Sequence, residues 1–502
     1  MVALDQPELL AAIVNRPDAM EVRLIYADWL DENGQPERAE LSRLWVERQL
    51  AAWPAWAAEH QFYDDRVAKL HAQAADRWFS QVSRSVGLPV QPSDLILQGF
   101  SGCVDSLQAS ESRFIQVGSL LLHRHPIDSL TLQELRPRTT AFTGANPALS
   151  GIRHLHLHRQ ALTLDHAQAL ARTDQLTSLQ TLDLSEAELP AEWVGVVCSA
   201  PALSGLRRLR LDSVRSSSRL IPALLERPLA GPLAELSLVG VASDVEAISE
   251  LSTSRYLQDL ETLDLSYNFF GLDGAMLLAE SPYLRFLAHL RLDSCQLRHR
   301  GLSLLANTFY LTHLHSLSLA RNHLNDQCLA ALAGWSLSKL QHLDLSINRI
   351  SRLGLAQLLH SPNFSNLESL DLTGNSLSGE HLRAFVQATR PAHLLQLNLS
   401  NNGLDDELGM SQLAQAECLA SLRNLLLRRT TLTDRGLARL LDSPLASSLQ
   451  LLDVSDNHLS DSGAELLLAP QLNLRYVNVR GNKLGARIIE RLRQRFGWRL
   501  MA

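Results

Sequence analysis

"LQHLDLSINRI", residues 340–350, places Leu340, Leu343, Leu345, Asn348 and Ile350 in the frame L-x-x-L-x-L-x-x-N-x-L. Leu343 and Leu345 alternate as in a short strand with one buried face, and so short a strand cannot bury that face alone. The frame returns at 27-residue intervals in "IRHLHLHRQAL" at 152, "LQTLDLSEAEL" at 179, "LRRLRLDSVRS" at 206, "LAELSLVGVAS" at 233 and "LETLDLSYNFF" at 260. It continues at 287, 314, 340, 367, 394, 422, 449 and 474, and a worn copy, "IDSLTLQEL", begins at 127, making fourteen units.

The inward leucines of one unit have no core until the next unit stacks on them, so stacking is obligatory. At the ninth position Asn268, Asn322, Asn348, Asn375, Asn402, Asn457 and Asn482 carry an amide that donates and accepts at once, suited to tying neighbouring turns; Cys295 takes the same slot. Between strands, "LDGAMLLAESPYL" from 272 and "DRGLARLLDSPL" from 434 space their apolar residues by three and four, as helices do, and Ser-Pro then ends the helix. Strands at about 4.8 Å against helices near 10 Å predict a curved stack with the sheet inside. Units 127–241 depart from the pattern, with Gln160, Ala187, Val214 and Val241 in the asparagine slot, and looser turns are expected there.

This frame and period resemble the leucine-rich repeat, in its ribonuclease-inhibitor-like form of strand followed by full helix. The expected fold class is α/β, a horseshoe solenoid with a parallel concave sheet and convex helices, preceded by a small, mainly helical cap. The segment "RLIYADWLDENGQPERAELSRL" in residues 1–50 resembles the repeat-companion domain of bacterial leucine-rich-repeat proteins, for which the resemblance implies no reaction. Residues 51–126 are expected to form a helix and hairpin entering the first repeat, 127–484 the repeats, and 485–502 a capping helix.

Residues 1–50 hold ten carboxylates against five arginines, most of the chain's excess of −7. Five of the eight tryptophans (Trp29, Trp45, Trp53, Trp56, Trp78) lie before the repeats, and the apolar spacing there predicts three helices, with Asn33-Gly34 ending one and Pro36 opening the next. Asp28, Asp31, Glu32 and Glu40 lack the order of a calcium loop and have no nearby histidine or cysteine, so they read as a charged outer face. Asp5 and Glu8 interrupt the first apolar run, and no run of about 18 apolar residues follows, so neither a signal peptide nor a membrane span is expected. Five cysteines with irregular gaps read as reduced thiols, and the location expected is cytoplasmic. The mild acidity argues against nucleic acid, despite the arginine-rich end "GARIIERLRQRFGWRLMA".

On the strand at 152, His154, His156 and His158 share one face with Thr181, Asp183, Arg208 and Arg210 of the next two strands. One metal ion would reach two of the three histidines, Asp183 could serve as a third ligand, and the arginines would oppose a cation. The expectation is a polar or partner-binding face with no metal and no cofactor. A second candidate face lies at the C-terminal end, where Leu426, Arg428, Leu451, Tyr476 and Arg480 interrupt the polar positions, and apolar and tyrosine side chains flanked by arginine have the composition of a binding hot spot. No Walker loop, zinc-protease motif or nucleophile set is present, so no enzyme is expected. The function that follows is a monomeric interaction module holding a protein ligand on its concave face. The alternative is a regulator of an enzyme, a GTPase-activator-like or inhibitor protein, for which Arg208 and Arg210 would supply the phosphate contact.

Overall fold

The computed structural model describes residues 6–16, 19–51, 57–85, 95–99, 103–139, 141–142, 147–241, 245–388, 393–404 and 406–502. Asp5, Asp18, Trp53, Trp56 and the 100–102 tip of the expected hairpin lie outside them. The chain forms two compact units, one of residues 1–53 with 63–241, the other of 54–62 with 242–502.

In the first unit, helices α1 (Pro7–Asn15), α2 (Met20–Glu32) and α3 (Pro36–Ala51) precede α4 (Glu59–Ser85), most of which belongs here. Asn33 ends α2, Gly34 takes a left-handed φ of 69°, and Pro36 opens α3, as its fixed φ favours. The buried stripe of α2 is Arg23, Tyr26, Ala27 and Leu30, so the apolar Leu24 and Ile25 face out. Arg23 is tolerated in that stripe because its guanidinium lies 4.0 Å over the Trp45 ring. The acidic cluster ties helices together: Asp28 and Asp31 pair with Arg43 at 2.7 and 2.6 Å, and Glu40 holds Arg66 through two bonds of 2.8 and 2.6 Å.

Strands β1 (Leu95–Gln98) and β2 (Ser106–Ser110) pair antiparallel. After β2 comes α5 (Glu111–Arg124), and then a parallel ladder runs through β3 (Ser129–Gln133), β4 (His154–His156), β5 (Thr181–Asp183), β6 (Arg208–Arg210) and β7 (Glu235–Ser237). The second unit repeats the ladder in β8 (Thr262–Asp264), β9 (His289–Arg291), β10 (Ser316–Ser318), β11 (His342–Asp344), β12 (Ser369–Asp371), β13 (Gln396–Asn398), β14 (Asn424–Leu426), β15 (Leu451–Asp453) and β16 (Tyr476–Asn478). In-register pairing aligns the central leucines, such as Leu343 with Leu317 and Leu370, and all three are inaccessible to solvent. From β4 to β16, helices of six to ten residues, about two to three turns, separate the strands and pack side by side within each unit. This is the parallel repeat solenoid that the frame predicts.

Three local devices hold the turns. Asn322 donates to the Leu292 carbonyl at 2.7 Å while its Oδ1 accepts from the Cys295 and Leu297 amides, and Asn348 likewise accepts from the Asn322 and Leu324 amides at 3.0 Å. Cys295 donates through Sγ to the Leu265 carbonyl, 3.2 Å away. The second device is the eighth position, left-handed in repeat after repeat: Glu134, Arg159, Glu186, Ser213, Tyr267, Ser294, Arg321, Ile347, Asn401, Arg429 and Asp456 all have φ between 53° and 61°, and Gly240, Gly374 and Gly481 fill the remaining turns. The third is the fifth-position aspartate, whose Oδ1 accepts from the amide two residues on, as Asp183 does from Ser185, Asp264 from Ser266, Asp344 from Ser346, Asp371 from Thr373 and Asp453 from Ser455, at 2.8–2.9 Å. These aspartates are turn-formers, though the sequence pattern presents them as an exposed polar column.

The looser turns expected over 127–241 are absent at 160–215. Gln160 does the asparagine's work, donating to the Leu132 carbonyl at 2.8 Å and accepting from the Leu135 amide at 3.2 Å. Where Ala187 and Val214 have no amide to offer, backbone bridges Ala161–Glu188 and Glu188–Arg215 replace it. At the other end the helix Ala486–Phe496 stops at Gly497, left-handed at φ 59°, and the chain returns as β17 (Leu500–Met501), which pairs in parallel with β16. That added strand is not read from the sequence, which predicts only a helix there. Arg495 of this helix donates to the Ala469 and Leu472 carbonyls at 2.9 and 3.1 Å, and Arg491 pairs with Glu465, so part of its basic face is used internally. All five cysteines are buried and none is in a disulfide, and among the described residues no helix is long and apolar enough to cross a membrane.

Candidate binding faces of the sheet

Alternation along each strand sends the leucines into the core and turns positions three, five and seven to the opposite, open face. On the first unit that face carries the histidine row. His154 Nδ1 lies 3.0 Å from Thr181 Oγ1, and His156 Nδ1 lies 3.3 Å from Asp183 Oδ2. His158 stands edge-on to His156, with ring centroids 6.3 Å apart. Burial, with Arg208 and His156 adding repulsion, pushes His154 down to about 4, so it is neutral at physiological pH. Burial alone would raise the Asp183 carboxyl, but hydrogen bonds from His156 and Ser185 outweigh it and hold the group below the usual carboxylate range.

The three histidines and Arg208 line a cleft of about 1090 Å³, walled on its other sides by Trp45 and Arg48 of α3, Tyr63 and Asp64 of α4, and Asp105 and Asp128 of the strand loops. Arg210 stands apart from this lining and is held by Asp212 at 3.1 Å. The structure therefore gathers four of the five residues expected on this face around one cavity. Trp45, Arg48 and Tyr63 come from helices outside the repeats, so the repeat frame gives no sign of them.

The C-terminal face differs from expectation. Leu451 is fully buried and Tyr476 is 6% exposed, which removes both from an exposed patch; Leu426 and Arg480 are half-buried, and only Arg428 is exposed. The cause is the segment Ala57–Phe62, which belongs to this second unit and lies on its open face. The Ala58 amide donates to Gln396 Oε1 at 2.9 Å, the Glu59 carboxylate accepts from Asn424 Nδ2 at 2.9–3.0 Å, and the Phe62 ring packs on Tyr476. From the other side Trp498 packs edge-on to Tyr476 at 6.0 Å and Arg499 lies 5.7 Å from its ring centre. Arg428 donates to Asp456 at 2.7 Å. Further along the same face a cavity of about 460 Å³ is lined by His289, Arg291, His342, Asp344, Asp371 and Gln396, among others. There burial pushes His342 down to about 4 and, with Asp344 adjoining, raises Asp371 to about 6.

Comparison with known proteins agrees with the repeat assignment. A Leucine Rich repeat family matches residues 256–279, 310–333, 390–410 and 446–468, and a second Leucine Rich Repeat family matches 366–387. No curated protein matches the chain. Solved structures similar to it include an internalin from Listeria monocytogenes (19% identity, TM-score 0.40, covering 68% of this chain and 85% of the internalin). Another is the complex of Rad7 and Elc1 in yeast (18%, 0.37, 60% and 81%), and a third is a leucine-rich-repeat protein of Leptospira interrogans (20%, 0.35, 74% and 88%). The chain contains leucine-rich repeats, and their strands pair in parallel within each unit.

Proposed function

We propose that this protein is a non-enzymatic interaction scaffold that holds a protein ligand on the concave, open face of its repeat sheet. The observation that carries the reading is the seating of Ala57–Phe62. A backbone amide, a carboxylate and an aromatic ring of a polypeptide each meet a complementary group, Gln396, Asn424 and Tyr476, on that face. These are the contacts by which a bound peptide would be recognised, so the sheet already has the chemistry of a peptide receptor. In the first unit, the cleft beside the histidine row offers a separate place for a polypeptide. Helices α1 to α3 are read as the repeat-companion module of bacterial proteins of this class.

Photo-crosslinking amino acids at Arg428, on the open face, and at Leu353, 65% exposed on a helix, test the reading. The ligand recovered from the native cell should crosslink at 428 and not at 353; crosslinking confined to 353 would refute it. The alternative, action on an enzyme, has its own test. Arg208 lines the cleft while Arg210 is engaged by Asp212, so a GTPase assay should respond to Arg208→Ala rather than Arg210→Ala.

A further inference from the structure

His156 and His158 leave the same side of one strand run, and Asp183 sits directly opposite His156 in the parallel register. One ligating atom from each of these three side chains lies within 4.8 Å of the other two. Around an ion bound at about 2.0–2.2 Å, neighbouring ligand atoms stand roughly 3.3–3.6 Å apart, so small rotations of the two imidazoles would close the set. The carboxylate needs no such search. Its Oδ1 is fixed by the Ser185 amide at 2.9 Å and the Ser185 hydroxyl at 2.6 Å, which leaves Oδ2 turned towards His156. Hydrogen bonds of this kind orient ligands in metal sites.

The arginines that would repel a cation are largely answered by partners. Arg210, opposite Asp183 in the register, is held by Asp212, and Arg159 is bound through two nitrogens to Glu186 at 3.1 and 2.9 Å; Arg208 stands opposite Thr181, two positions from Asp183, and keeps its charge on the cleft. His154 bonds to Thr181 and stands outside the set. Two imidazoles and one carboxylate suit a first-row transition ion and poorly suit Mg²⁺ or Ca²⁺, which prefer oxygen alone.

We propose that His156, His158 and Asp183 form a three-ligand site for a divalent transition-metal ion, Zn²⁺ foremost, on the wall of the cleft. With His156 and His158 lining the cleft and Asp183 beside them on the next strand, the remaining coordination positions would be open to water or to an oxygen or nitrogen of a bound molecule. The site is independent of the protein-ligand reading, since the free chain supplies all three ligands.

The test uses full-length, untagged protein treated with chelator and then titrated with Zn²⁺ by calorimetry and with Co²⁺ by visible absorption. The expected result is about one ion per chain, with Co²⁺ giving the ligand-field bands of a low-coordinate nitrogen–oxygen site. His156→Gln, His158→Gln and Asp183→Asn should each weaken binding by at least about 100-fold, and Ser185→Ala by roughly 10- to 100-fold. His154→Gln should bind as wild type, and circular dichroism should show all variants folded. Absence of Zn²⁺ and Co²⁺ uptake by the wild-type chain would overturn the proposal. So would uptake that persists unchanged in His156→Gln and Asp183→Asn, which would place the ion elsewhere, for example among His289 and His342.

Discussion

Phe62 meets Tyr476 edge-on, their ring centroids 5.3 Å apart and their planes at 60°. Both rings are buried, and the contact removes Tyr476 from solvent. An aromatic pair in this geometry contributes about 0.5–1.5 kcal/mol beyond its buried area. A double-mutant cycle of Phe62→Ala and Tyr476→Ala should return a coupling of about 1 kcal/mol, and Phe62→Ala alone should speed amide exchange over 57–62. Zero coupling would mean that the two rings are neighbours without mutual stabilisation.

Leu345 is inaccessible to solvent, whereas its neighbour Asp344 is half-buried on the open face. Leu345→Asp puts an unpaired charge into the stacked core and should cost about 3 kcal/mol or more. Asp344→Ser should change little, because serine can still accept from the Ser346 amide that Asp344 Oδ1 now binds at 2.8 Å. Thermal unfolding of the two variants separates these outcomes, and equal melting would contradict the inward and outward assignment.

Ile347 holds φ at 53° with its side chain 41% exposed. A left-handed conformation costs an L-residue roughly 1–2 kcal/mol, more for a β-branched side chain than for asparagine, whose short polar group suits it. Ile347→Asn should therefore stabilise the protein by about 1 kcal/mol, a reversal of the usual sign for changing an isoleucine. A lower midpoint in urea would show that contact with the neighbouring turn at Gly374 outweighs the backbone strain.

Burial, with Asp344 beside it, raises the Asp371 carboxyl to about 6, above its value near 4 in an unfolded chain. Between these values the folded state keeps a proton that the unfolded chain has released. The contribution therefore favours folding at low pH and is lost as pH rises through 6. Between pH 5 and 7 the wild type should lose about 1 kcal/mol more than Asp371→Asn, measured as the difference in urea unfolding free energy at the two values. His154 and His342, both lowered to about 4, pull the other way but act equally in both proteins.

The repeat fold is legible because its determinant is periodic: a leucine buried in one unit is buried for the same reason in the next, as Leu317, Leu343 and Leu370 are. Features that do not repeat, or that repeat without a constant residue, escape such reading. The eighth position is left-handed whether it holds Arg159, Tyr267 or Ile347, so no residue type announces it. Aspartate recurs at the fifth position as Asp183, Asp264, Asp344, Asp371 and Asp453, but its bond runs to the chain's own amide two residues on, and the pattern alone cannot separate that from an outward-facing charge. Leu451 and Tyr476 have the composition of a hot spot and are covered all the same. The segment over them precedes the repeats, and the nearby contact of Glu59 with Asn424 spans 365 positions of sequence. The histidine row is visible in the sequence; its cleft is not, because Trp45 and Tyr63 come from helices that share no period with it.

The asparagine bonds have a direction. Asn348 supplies the oxygen that caps the amides of Asn322 and Leu324, one repeat earlier, and Asn457 does the same for Thr430 and Leu432. A chain emerging from the ribosome therefore cannot complete these turns until the following repeat has left the exit tunnel. The newest repeat always waits on material not yet made. Asn482 in turn caps the Leu459 amide at 3.0 Å, and β17 extends the strand ladder beyond it, the Val479 amide donating to the Met501 carbonyl at 2.8 Å as the Val454 amide does to that of Asn478.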